Sequence, residues 1–478
     1  MERAYDGLRA AGSGRGAGQD RRRTRPSEAA GQLTRRRALA QVAAGVGLGL
    51  PAAVLGACRA PDASPAQGTT SRAPVKVTYM GPLAAGTERH QLEQELFQSF
   101  GEPGKGTSVD VLSGPGGWPQ LREKFIVSHA GGDPIDLVQN AWGSWTDMAE
   151  GGMFTELMPL FKRDKVSLDI FTPVSVEAYT AGDKLWGMPV SISADALAYN
   201  LDLFDAAGLP YPPVNPEDKS WTMERFQEYA VKLTRAGEQF GFGGASSGFS
   251  TGGVSDGTYF QQLAWDDKRR KSLMDTTAFR QGLQFWHDLE TKLHVQPSAE
   301  EAAAIRGGST ANIFLSGKIG MQVILTIFPR EQAAFRWGLA TLPSTGPGRN
   351  MSARMWPSGL HIGRSPRAEQ AWEVLKWLTR PENGGRFPLT AGHAASPLVK
   401  GGSDLAQKLR QEQSGVDPKA WVLQSQYSPL SASGMLKYAS WPKVAEEIDP
   451  KYKAFRAQQL AVGDFARQAS EAIDRLMP

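Results

Sequence analysis

From Val75 onward the chain alternates short runs of β-branched and apolar residues with stretches of helical periodicity, and this limits the fold more than any other feature. Val75-Lys76-Val77-Thr78-Tyr79-Met80 alternates as a strand and stops at Gly81-Pro82. Residues 88–100 place Leu92, Leu96, Phe97 and Phe100 at helical spacing. Val109-Asp110-Val111-Leu112 reads as a second strand, 118–129 as a second helix, and Ile135-Asp136-Leu137-Val138 as a third strand. Strand–helix alternation of this kind predicts an α/β architecture with largely parallel strands. Ligands in such sheets sit outside the carboxyl ends of the strands.

The pattern resumes at Ala198-Tyr199-Asn200-Leu201, followed by a short helix stopped by Gly208 and a stiff loop carrying Pro210, Pro212, Pro213 and Pro216. Thr222 is placed to cap a helix with Phe226, Tyr229, Ala230 and Leu233 on one face. Helices are expected at 258–265, 276–293, 298–306 and 366–379, with a strand at 320–325.

The first 57 residues are of another kind. They carry ten Arg, no Lys and four acids, Glu2, Asp6, Asp20 and Glu28. The whole chain has 53 bases and 49 acids, so the rest holds 43 bases against 45 acids. The sequence pI near 9.0 therefore belongs to the leader, and no nucleic-acid partner is expected. Arg35-Arg36 precedes an Ala-, Gly-, Val- and Leu-rich run too interrupted to be a good membrane-spanning helix, which ends at Leu55-Gly56-Ala57-Cys58. Charged, apolar and small-residue regions in this order form a secretory signal. Arg35-Arg36 resembles a twin-arginine export signal, although Ala38 and Ala40 depart from its usual residues. The string ending at Cys58, the chain's one cysteine, resembles a bacterial lipobox. It implies lipid on Cys58, a tether over 58–74, and anchoring to the outer face of the cytoplasmic membrane. A single cysteine excludes an internal disulfide.

Several strings, in order, carry a resemblance covering about 75–380. They include Gly132-Asp133-Pro134-Ile135-Asp136-Leu137-Val138, Gly152-Met153-Phe154-Thr155-Glu156-Leu157 and Lys184-Leu185-Trp186-Gly187-Met188-Pro189. Ala198-Tyr199-Asn200-Leu201-Asp202-Leu203-Phe204 and Phe314-Leu315-Ser316-Gly317-Lys318-Ile319-Gly320-Met321 follow. The chain resembles the extracellular solute-binding lipoproteins of bacterial ABC importers, in the carbohydrate-binding group related to maltose-binding protein. The resemblance implies a two-lobed type II periplasmic-binding-protein-like fold, with mixed sheets flanked by helices and a ligand cleft between the lobes. The expected first lobe comprises 75–190 and 312–342, and the second 191–311 and 343–478. A small solute, expected to be a sugar, would be trapped by hinge closure and passed to permease subunits. The resemblance implies no catalytic residue, cofactor or metal, and a monomer.

Sugars offer apolar C–H faces to aromatic rings and hydroxyls to polar side chains. Trp142 and Trp145, past the end of the third strand, Trp265 beside Asp266-Asp267, and Trp356 before Pro357 are the aromatic candidates. By contrast, Trp286, Trp337, Trp372 and Trp377 lie in core-like patterns. Family position adds Asn140 at a strand end, Ser191 and Ser193 at the first crossover, and Arg354. It also adds Thr326 and Phe328, ahead of a helix expected to start at Pro329 with free N–H groups. A polyol or glycerophosphodiester is the alternative solute. A lipid-anchored hydrolase is the alternative class, with Glu156, Asp183 and Asp195 as its acids. Gly248-Phe249-Ser250-Thr251-Gly252 fits a nucleophile-elbow string but lacks the apolar strand that the motif needs before it.

Overall fold

The computed structural model describes residues 75–101, 106–141, 145–245, 265–266, 270–306, 313–346, 349–350, 355–427 and 441–477. Arg35, Arg36, Cys58, the Gly248–Gly252 string and all but Trp265 of the helix expected over 258–265 lie outside them, and Trp265 itself stands on a strand.

Two sheets organise these residues. The strands are β1 (Val75–Met80), β2 (Thr107–Leu112), β3 (Leu137–Ala141), β4 (Met188–Ala194), β5 (Ala196–Asn200), β6 (Phe240–Ala245), β7 (Ile319–Ile324), β8 (Trp337–Ala340) and β9 (Met355–Ile362). The first sheet has the order β2-β1-β3-β9-β4, and the second β8-β5-β7-β6. Strands β1, β2 and β3 are parallel, as the alternation predicts, whereas β9 runs antiparallel between β3 and β4.

This topology corrects the expected lobes. Residues 312–342 were assigned to the first lobe, yet β7 and β8 both pair with β5 in the second sheet. Residues 343–478 were assigned to the second lobe, yet β9 completes the first sheet. The chain crosses at Asp195 and returns between β8 and β9. Main-chain pairing between distant segments decides this, and local pattern does not record it.

Strand β9 contains Pro357 and Gly359, residues that disfavour a strand interior. The register shifts between Ser358 and Gly359, and an irregularity of this kind accommodates such residues inside a strand. A Cβ at Gly359 would lie 2.5 Å from the Tyr179 ring, so the ring requires a glycine there.

Threonine caps open two of the helices, the first as the sequence predicts. Thr222 Oγ1 accepts from Arg225 N and opens Met223–Lys232. Thr87 caps Glu88–Gln98 in the same way, through His90 N. Trp337 and Trp372 are buried, and Trp286 and Trp377 nearly so, as their patterns indicate. The carboxyl-terminal helices are not confined to one lobe. Lys419–Tyr427 packs on β4 of the first sheet and on β5 and β8 of the second. Trp441–Arg456 packs on Val462–Leu476, which also meets Thr277–Thr291.

Candidate functional site

The carboxyl ends of β1, β2, β3 and β4 and the amino end of β9 share one edge of the first sheet, since Met355 pairs with Ala194 and Ser358 with Ala141. In the second sheet, the amino end of β5 shares an edge with the carboxyl ends of β6, β7 and β8: Ala196 pairs with Ile324, Leu197 with Ala340, and Val323 with Ala245. Only Asp195, fully buried, separates β4 from β5. The two edges are therefore joined by a single residue, and the loops leaving them converge on one region. This is where an open α/β sheet places its ligand.

Side chains tie the crossover. Ser193 Oγ donates to Leu325 O at 3.1 Å, linking the end of β4 to the end of β7. Ser191 Oγ lies 2.7 Å from His393 Nδ1, and Ile192 N donates to Ala395 O at 3.0 Å. The His393 ring stacks on Trp421; burial, then Arg89 and Arg410, holds its pKa well below the usual histidine range. On the return crossing, Gln424 Oε1 accepts from Thr341 Oγ1 at 2.5 Å and from Leu342 N at 3.2 Å.

The expected site residues divide into groups. Asn140 is buried on β3 next to the edge, and its Nδ2 has no acceptor among the described residues. Ser191 and Ser193 reach the crossover, but their hydroxyls bond within the protein. Thr326 is half-buried just past β7, against Gly392. Phe328 belongs to an aromatic cluster, 4.4 Å from the Trp337 ring. The backbone of Trp356 pairs with Ser193 at the shared edge. Trp142, Arg354 and the Trp356 side chain lie outside the described residues.

Three expectations are corrected. Trp145 is 1% exposed, donates from Nε1 to Ala178 O, and packs on Tyr179 and His361, so it offers no face to a solute. Trp265 is completely buried on a short strand paired with Lys271–Ser272. The helix expected at Pro329 is a single 3-10 turn, Arg330–Gln332, too short to present a helix amino terminus. Of the acids named for a hydrolase, Glu156 accepts from Met158 N and Leu185 N, and Asp183 is exposed in a hairpin turn.

Sequence reading missed a buried polar group under the first edge. Tyr79, Glu93 and Gln139 meet there, beneath Gly81. The signal was present in Glu93, which interrupts the apolar face of its helix next to Leu92 and Leu96. A cavity of about 490 Å³ lies elsewhere, lined by Phe100, Thr107 and Trp377 at the amino end of β2, away from the shared edge.

The family described as bacterial extracellular solute-binding protein matches residues 85–385. The chain belongs to that family. A binding protein of Brucella abortus (strain 2308) is 25% identical over 336 residues, covering 66% of this chain and 76% of that one. Solved structures of similar fold include an ABC substrate-binding protein from Listeria monocytogenes in complex with cycloalternan, at TM-score 0.68, 18% identity, and 84% and 98% coverage of the two chains. Maltose-bound MalE3 from T. maritima gives 0.64, 20%, and 84% and 100%. UgpB from Mycobacterium tuberculosis in complex with glycerophosphocholine gives 0.67, 18%, and 85% and 98%. The two-lobed architecture expected from the sequence is thus the architecture of this solute-binding protein, with the lobe boundaries redrawn as above. Among its described residues no helix is long and apolar enough to cross a membrane.

Proposed function

We propose that this protein captures a carbohydrate between the two sheet edges that meet at Asp195 and delivers it to the membrane subunits of an ABC importer. The observation that carries the reading is the convergence of both edges across one residue, in a chain of the extracellular solute-binding family. The sugar-bound relatives in fold support a carbohydrate over other polar solutes. The glycerophosphocholine complex makes a phosphodiester the second solute to test.

Thermal unfolding with maltose, sorbitol, a sugar phosphate and glycerophosphocholine tests this. A ligand that binds only the folded state at about one hundred times its Kd adds about 2.7 kcal/mol of stability. The expected result is such a shift with a sugar and no product released. Turnover would favour a hydrolase, and silence towards every sugar would overturn the carbohydrate class.

Lipid on Cys58 would hold the mature chain at the outer face of the membrane, with 59–74 as tether. In a bacterial host able to lipidate it, Cys58→Ser is expected to abolish incorporation of labelled fatty acid and to move the protein from the membrane pellet to the soluble fraction. Retained label would show that Cys58 is not the anchor.

A further inference from the structure

Tyr79 Oη lies 2.7 Å from Glu93 Oε1 and 3.2 Å from Gln139 Oε1. A phenol has one proton, and here two oxygens converge on it. Glu93 is 1% exposed, and its Oε2 has no hydrogen-bond partner among the described residues. His90 Nδ1 stands 3.6 Å from that oxygen, beyond hydrogen-bond reach, and has no hydrogen-bond partner among the described residues. Turning the Gln139 amide would supply Tyr79 with a donor, but an ionised Glu93 would still bury a bare anionic oxygen, which is costly. A protonated Glu93 resolves the group: it donates to Tyr79 Oη, and Tyr79 donates to Gln139 Oε1. Burial is the largest influence and pushes the Glu93 carboxyl up to about 7, while the Tyr79 hydrogen bond and then Arg89 pull it down.

Gly81, the first residue past β1, rests directly on this group. A Cβ there would lie 2.6 Å from Glu93 Oε1 and 2.7 Å from Tyr79 Oη. The neighbouring loop is pinned to it: Gly114 N donates to Leu83 O at 2.7 Å, and Gly116 N to Pro82 O at 2.9 Å. A Cβ at Gly114 would be 2.2 Å from Gly81 O.

We propose that Glu93 is a proton-operated positioning residue: protonated, it seats the loops after β1 and β2 at the solute edge, and ionised, it unseats them. An ionised carboxylate must take up water or swing towards Arg89, and either motion displaces the backbone of Gly81. The groups facing it are Tyr79 on β1, Arg89 and His90 on its own helix and Gln139 on β3. Arg89 in turn acts on His393 and Arg410, from the segment after β9. The sign follows from the raised value. The folded state keeps a proton that the unfolded chain gives up near 4.5, so stability falls as pH rises from there through about 7.

That these loops border the solute rests on the function proposed above; their response to pH does not. Amide exchange measured by mass spectrometry on the solute-free protein, over peptides spanning 79–84 and 112–117, separates the two questions. Rates are read as the ratio of wild type to Glu93→Gln at each pH, because glutamine mimics the neutral acid. The ratio is expected to rise about ten-fold between about pH 6 and about pH 8, since a group titrating at about 7 goes from about one-tenth to about nine-tenths ionised over that interval. A constant ratio would overturn the proposal. So would an equal rise in peptides from the second sheet, which would report general loosening. If the ratio rises but no solute in the thermal screen binds, the positioning role stands and the carbohydrate reading fails.

Discussion

Replacing Asp136 by alanine is expected to cost about 3 kcal/mol of folding stability, at the lower end for a buried ionic partner removed from its network. Asp136 is completely buried just before β3. Its carboxylate accepts from Thr78 N at 2.8 Å, Thr78 Oγ1 at 2.9 Å, Ser365 Oγ at 2.6 Å and Arg367 Nε at 2.8 Å. These donors belong to β1 and to the loop following β9, so one side chain ties three segments far apart in sequence. Alanine leaves the Thr78 amide and the Arg367 guanidinium without their acceptor, and the charge on Arg367, one-third exposed, is only partly rehydrated. Chemical denaturation of the two proteins checks the figure. A loss below about 1 kcal/mol would mean that water replaces the carboxylate and that the knot contributes little.

The second large effect is expected at Gly241. A Cβ there would stand 1.8 Å from Ala230 O and 2.5 Å from Ala230 C, both backbone atoms of the helix Met223–Lys232. A flexible side chain could yield; a helix carbonyl can do so only if the helix moves away from β6. That motion would part Phe226 from Phe242, whose rings are 5.1 Å apart in the core of the second sheet. Gly241→Ala is therefore expected to cost about 3 kcal/mol, the upper end for an overpacked core. Gly101→Ala, whose added carbon meets nothing closer than 3.6 Å, is the control and should be close to neutral. Equal stability of the two variants would show that the helix shifts freely.

Much of the fold was legible because local rules and tertiary structure agree. Periodicity and a threonine cap located Met223–Lys232, and the apolar stripe of Thr277–Thr291 located that helix. Asp136 sits in the string that carried part of the family resemblance, although its partners could not be read from it. The edge at Asn140 and the crossover at Ser193 were reached through the family resemblance. What failed was non-local. Trp145 and Trp265 stand in settings that look open along the chain, and only packing encloses them. The lobe membership of β7 and β9 depends on partners more than a lobe away. Of the Tyr79–Glu93–Gln139 group the pattern shows one member, Glu93 on an apolar helix face; its partners stand on β1 and β3, and only the tertiary fold brings them to it.

The position of β9 has a consequence for how the molecule is made. It fills the slot between β3 and β4, so the first sheet stays open until the chain has been synthesised well past the whole second sheet. Closing it is a long-range pairing step and therefore slow. Until then β3 and β4 present unpaired edges that can recruit strands from other chains. A chain that crosses the membrane unfolded carries those edges into the new compartment, whereas one that crosses already folded has buried them beforehand. The route of export thus decides on which side of the membrane this protein is vulnerable to aggregation.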